Sequence, residues 1–150
     1  MKRKRRKKPL LSRLKTKADK ALSEYIRLQT KIEFGEKCPM CFDGIIRPIQ
    51  CAFHFVRRRR LAVRWNPLNL IGACHRCNYL EYRNPDPYRA WFIRKYGVDK
   101  YLGLVDESMK PFEPTTEFLE GLIGHFTERL EELNAQLPPT TPSSGTVSDG

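Results

Sequence analysis

Two Cys-x-x-Cys pairs, Cys38-Pro39-Met40-Cys41 and Cys74-His75-Arg76-Cys77, constrain this chain more than any other feature. Zinc takes four soft ligands in a tetrahedron, and each such spacing offers two thiolates from one tight turn. Four free core cysteines are the weaker reading, because they seldom fall into two pairs of this kind. A site closed by Cys38, Cys41, Cys74 and Cys77 has no open position, so the ion it holds is structural. Such an ion substitutes for core in a small domain. His75 is an alternative ligand, or else a surface or nucleic-acid contact. A fifth cysteine, Cys51, lies outside both pairs.

The chain has 150 residues, enough for one compact domain plus tails. No segment approaches the ~18 uninterrupted apolar residues of a membrane span. The basic start runs into "PLLSRLK", which lacks the apolar stretch of a secretory signal. These features predict a reducing cytoplasm, where cysteines serve metal rather than disulfides.

Net charge is +11, spread unevenly. Residues 1–20 carry +10, residues 21–35 balance, residues 36–103 carry +8 and residues 104–150 carry −7. Concentrated positive charge predicts a polyanionic partner, since each Lys or Arg set on a phosphate releases condensed counterions. A solvated basic surface is the plainer alternative.

The pattern along the chain predicts five segments. Residues 1–17 read as a disordered basic arm, with Lys4, Arg5 and Arg6 as nucleic-acid contacts. Residues 18–35 read as a helix ending at Gly35, from the spacing of Ala18, Leu22, Tyr25, Ile26 and Leu28. Residues 36–103 form the zinc-stabilised core. Within it, "GIIRPIQCAFHFV" predicts one or two strands broken at Pro48, "RRRRLAVRWNPLN" a loop, and "NPDPYRAWFIRKYG" a helix from Pro-Asp-Pro to Gly97. Tyr88, Trp91, Phe92 and Tyr96 are its core stripe; "DKYLGL" reads as a short turn. Residues 104–137 hold a helix capped by Thr115 or Thr116, with Phe118, Leu119, Leu122, Ile123, Phe126, Leu130 and Leu133 as its apolar face. Residues 138–150 read as a disordered tail.

A second constellation follows the zinc pairs. His54 lies in the apolar run "QCAFHFV", Asn69 comes fifteen residues later, and Asn78 nine after that, directly behind the second cysteine pair. A lone His in such a run is usually a packed core residue. Here the knuckle predicts a helix start at Asn78, and a loop returns Asn69 to the strand. That order resembles the HNH endonucleases of the ββα-metal fold, in the variant whose third residue is Asn. "CPMC", "HF", "RWNPLN", "CHRCN" with Asn84, and "YRAWFIRKYG" are similar to the phage lambda NinG (Rap) recombination endonuclease branch. The resemblance spans roughly residues 10–135, by motif order.

The resemblance implies an α+β fold: a small zinc-stabilised ββα-metal core flanked by N- and C-terminal helices. It implies a metal-dependent endonuclease acting on branched DNA, D-loops or Holliday junctions, with His54 as general base. It implies Mg²⁺ or Mn²⁺ as catalytic ion with Asn78 as an oxygen ligand, and Asn69 as the residue that holds the loop and orients His54. Arg57, Arg58, Arg59 and Arg60, with Arg64, would clamp the DNA backbone. A homodimer would suit junction cleavage, with the acidic C-terminal helix as its surface. The chain departs from the family at three places. Phe53 replaces an Asp ligand before the His, Cys51 stands where the branch tends to carry an acid, and Leu80 replaces a His. Cys51, Glu81 and Asn84 are therefore candidates for the second ligand. Trp65 and Tyr79 are expected against the zinc unit, with stacking on a splayed base as the alternative. The alternative is a non-catalytic zinc-containing DNA- or RNA-binding protein on a degenerate scaffold of this type. A zinc-stabilised protein-interaction module is a third reading.

Overall fold

The computed structural model describes residues 8–139, so the readings of Lys4, Arg5 and Arg6 and of residues 140–150 lie outside it. The fold is α+β, mostly helical with one two-stranded sheet. Helix α1, Leu10–Phe34, begins well before residue 18. Much of the expected arm, residues 10–17, is therefore helical, and Leu14 is buried with the later stripe. Charge masked this turn: the Lys and Arg side chains project to solvent while Leu14, Ala18, Leu22, Tyr25, Ile26 and Thr30 repeat along one face. Gly35, at φ 85°, ends the helix in a conformation open to glycine.

That face packs on helix α6, Thr116–Gln136, which Thr115 caps by accepting from the Phe118 backbone N–H at 3.1 Å. Leu119 and Phe126 are its buried residues, and the Tyr25 and Phe126 rings meet at 5.4 Å. Phe118, expected in the stripe, is 39% exposed. The apolar face of α6 packs on its own chain.

Strand β1, Cys51–His54, pairs antiparallel with strand β2, Leu70–Ala73, in the register Cys51↔Ala73 to His54↔Leu70. Upstream, Pro48 makes only an isolated bridge with Lys37. The stretch after β1 is more structured than a loop. It holds a one-turn helix α2, Leu61–Arg64, and a 3-10 turn, Pro67–Asn69, that delivers β2. A four-residue strand buried on both faces has no alternation to announce it. Helix α1 lies directly over β2. Thr30 Oγ1 donates to the Ile26 carbonyl at 2.8 Å and accepts from the Gly72 N–H at 2.7 Å.

Helix α3, His75–Leu80, follows β2 with Cys74 as its N-cap, so Asn78 sits inside the helix rather than at its start. Helix α4, Asp86–Tyr96, begins and ends as its Pro-Asp-Pro and Gly97 signals predict. Tyr88 and Phe92 are buried in it, with Trp91 and Tyr96 partly covered. Helix α5, Val98–Ser108, replaces the expected turn and spans the predicted boundary at residue 104. Leu104 carries it onto Val63 and Phe92 as a third small core.

Candidate functional site

The zinc knuckles meet across the sheet. Cys38 and Cys41 come from the turn after α1, Cys74 from the end of β2 and Cys77 from α3. All four Sγ atoms lie within 4.8 Å of one another. Cys38–Cys77 and Cys41–Cys77 are 3.8 Å apart, and Cys41–Cys74 3.6 Å. A tetrahedron with Zn–S bonds of about 2.3 Å has edges of about 3.8 Å, and these three edges match it. Hydrogen bonds already draw charge onto the sulfurs: the Cys77 N–H reaches Cys74 Sγ at 3.4 Å, and Arg47 Nη1 reaches Cys41 Sγ at 3.5 Å. The contact between Cys38 and Cys77 holds Cys38 down to about 5, against burial, and pushes Cys77 up. A cation bound among the four sulfurs would displace their protons. His75 is exposed and outside the cluster, its backbone N–H donating to Gln50 Oε1 at 3.1 Å. Met40, Phe53, Ile71 and Tyr88 pack around the sulfurs.

Pairing places His54 at the end of β1 opposite Leu70, and β2 leads straight into α3 with Asn78. His54 and Asn78 line the same two adjoining cavities. One, of about 340 Å³, adds Asp19, Cys51, Arg58 and Arg64. The other, of about 150 Å³, adds Arg57, Arg58, Glu81 and Tyr82. His54 Nε2 lies 3.0 Å from the Arg64 carbonyl. A carbonyl only accepts, so Nε2 carries the hydrogen and Nδ1 is the free acceptor of the neutral ring. Burial lowers the His54 pKa to about 4, against the opposing pull of that carbonyl and of Asp19. The ring is therefore neutral at physiological pH.

Asn69 is fully buried and does not orient His54 by direct contact. Its Oδ1 accepts from the Val56 N–H at 2.7 Å, and its Nδ2 donates to the carbonyls of Val56 at 2.9 Å and Val63 at 3.0 Å. It closes the loop whose next residue, Arg64, holds the imidazole. Asp19 completes this frame from α1. Its carboxylate accepts from Arg58 at 2.7 Å, from Arg64, and from Trp65 Nε1 at 3.0 Å. Sequence reasoning missed Asp19, although it is the lone acid among the first twenty residues.

Other expected residues separate. Phe53 faces the zinc core and is 1% exposed. Cys51 lines the larger cavity but its Sγ donates to the Ala73 carbonyl at 3.4 Å, and burial pushes its pKa up to about 11. It is a thiol, unsuited to a hard cation. Asn84 is exposed and lines neither cavity. Glu81 is 8% exposed and lines the smaller cavity; burial raises its pKa, and it forms no ion pair among the described residues. Trp65 packs between α1 and α6 rather than on the zinc unit, and Tyr79 is exposed under the Arg83 guanidinium at 5.3 Å. Of the arginine run, Arg57 lies over the Tyr82 ring at 5.4 Å, Arg58 pairs with Asp19, Arg60 caps α2, and all four are exposed. Arg64 is engaged by Asp19 and is less free to meet a ligand than its neighbours.

Among the described residues, the four cysteines are the only His, Cys, Asp and Glu group gathered tightly enough for a metal, and no helix is long and apolar enough to cross a membrane. Compared with protein-family models, with curated proteins and with solved structures, the chain matches none.

Proposed function

We propose that this protein is a metal-dependent DNA endonuclease of the HNH type, with His54 as general base. One observation carries the reading: a half-buried, neutral imidazole whose Nε2–H is tied to the Arg64 carbonyl shares its two cavities with Asn78 and with Arg57, Arg58 and Arg64. A packed core histidine would have no reason to face a basic cleft. Nδ1 takes a proton from an attacking water, Arg57 and Arg58 neutralise the phosphate, and Asn69 and Asp19 hold the loop that aims the ring. Asn78 and Glu81 offer oxygen donors from one end of α3, the donor chemistry a hard divalent ion requires. Glu81 takes the place that Cys51 and Phe53 cannot fill: its buried carboxyl makes no ion pair among the described residues, and an ion beside it would add to the weaker pull of Arg57 in the same cavity. Mg²⁺ or Mn²⁺ bound there would supply charge stabilisation at the phosphate and at the leaving 3′ oxygen. The basic surface supports DNA as the partner, and branched DNA, in D-loops or Holliday junctions, is the substrate we propose from the family resemblance. The host cytoplasm is the compartment that goes with this reading.

Nicking of supercoiled plasmid in Mg²⁺ or Mn²⁺ tests the assignment. His54→Ala should lower the rate by at least 10²-fold while zinc content stays intact. Unchanged nicking in that variant removes His54 from the mechanism. A wild-type protein that binds DNA but nicks in neither metal would instead be a binding protein on a degenerate scaffold. The departures at Phe53 and Leu80 favour that second reading.

A further inference from the structure

A third cavity, of about 270 Å³, opens between the turn after β1 and helices α4 and α5. We infer that it is a nucleotide pocket that holds one unpaired nucleotide of the bound DNA strand, beside the phosphate addressed by His54. The inference rests on the proposed function for that placement, and on the pocket's own chemistry for the ligand.

Three guanidiniums, Arg57, Arg60 and Arg89, line the pocket against one carboxylate, Glu81. Asp86 engages Arg89 at 3.3 Å on the exposed rim and leaves the other two arginines free of ion pairs among the described residues. The pocket therefore attracts an anion. Its walls suit a planar ring. Tyr101 lies beneath the Arg89 guanidinium at 5.8 Å, a flat cation on a flat aromatic face. Tyr88 forms a buried wall, held by the rings of Phe53 at 5.2 Å and Phe42 at 5.4 Å. Guanidinium and aromatic faces together are what bases stack on when they leave the helix. Size agrees: an apolar cavity of roughly 150 Å³ holds benzene, so this one has room for a purine.

Position decides which nucleotide fits. Arg57 and Glu81 line both this pocket and the smaller cavity of His54 and Asn78. A strand whose phosphate lies on Arg57 at the one can set its neighbouring base into the other. A paired base is held in the duplex stack, whereas an unpaired one enters at little cost. The pocket thus converts a branched or bulged backbone into extra affinity.

Fluorescence anisotropy on the zinc-loaded full chain in Ca²⁺ tests this. The probes are a perfect DNA duplex and the same duplex bearing one bulged 2-aminopurine nucleotide. The bulged DNA should bind about tenfold tighter, with the 2-aminopurine emission quenched on binding. Tyr101→Ala should lower bulge affinity about tenfold and lose the quenching, with duplex affinity kept within about twofold. Arg89→Ala, an exposed change that spares the core, should act in the same direction. Equal wild-type affinities, or equal losses on both DNAs in both variants, would overturn the pocket. A deoxynucleoside monophosphate that competes as well as the bulged DNA would also overturn it, by assigning a free small ligand. Binding is read without cleavage, so a bulge preference without nicking would sink the endonuclease reading alone. Nicking without a bulge preference would sink the pocket alone.

Discussion

His54 shows how one side chain can be recognised from its neighbours yet understood only in place. Its ring is a candidate base because of the motif around it, but its tautomer comes from the Arg64 carbonyl and its neutrality from burial. The folded pKa of about 4 lies below the ordinary value of 6.5. The unfolded chain therefore takes up the proton first as pH falls, and stability drops between about pH 6.5 and pH 4. Above that window the effect is flat. Urea midpoints of wild type and His54→Gln should converge there, the wild type losing about 2–3 kcal/mol more than the variant on acidification. Gly72 is a second case. A Cβ there would meet Ile49 Cγ2 at 2.8 Å and Thr30 at 3.0 Å, where α1 lies on β2. Gly72→Ala should cost about 1–3 kcal/mol in a urea melt, by overpacking a site that has no room to yield. Nothing about "LIGAC" reveals this, since the obstructing atoms belong to Ile49 and Thr30, both distant in sequence.

Elements were legible where a local signal sets them. Pro-Asp-Pro and Gly97 bound α4, and Thr115 caps α6, because proline geometry, glycine freedom and a side-chain oxygen act within one turn. Helix α1 was half hidden because its first turns are charged, and helix propensity there is decided by a partner, α6. Helix α2 was read as loop and strand β2 was not assigned, because each is four residues long. The loop between the strands depends on Asn69. Asn69→Leu removes three hydrogen bonds and leaves the Val56 N–H and carbonyl unpaired, while the Val63 carbonyl keeps the Asn66 N–H. It should destabilise by about 3 kcal/mol or more. It should also abolish nicking even where the protein is still folded, because Arg64 no longer holds His54; thermal melts and plasmid assays on the same preparation check both.

The whole molecule divides its stability between two unlike sources. An apolar core joins α1, α6 and Trp65, while a second gathers Phe53, Tyr88 and Ile71 around the four cysteines positioned to hold a metal. Stripping zinc should collapse the second before the first. The near-ultraviolet dichroism of the Phe53, Phe55, Trp91 and Tyr88 cluster should disappear on chelation. Much of the far-ultraviolet helical signal should remain, and added Zn²⁺ should restore both. Loss of both signals together would show that the apolar core has no independent stability.

Sequence alone determined the composition of the metal site and the order of His54, Asn69 and Asn78, because ligand chemistry and knuckle spacing are local properties of the chain. It also determined the uneven charge that makes a polyanion the expected partner. Tertiary structure decided what each residue does. It buried Phe53 in the zinc core, kept Cys51 a thiol, brought Asp19 from the first helix to the loop arginines, and turned Glu81 into a cavity-lining carboxylate. Burial and long-range hydrogen bonding fix those roles, and neither can be read from spacing, because both depend on which distant segments fold against each other.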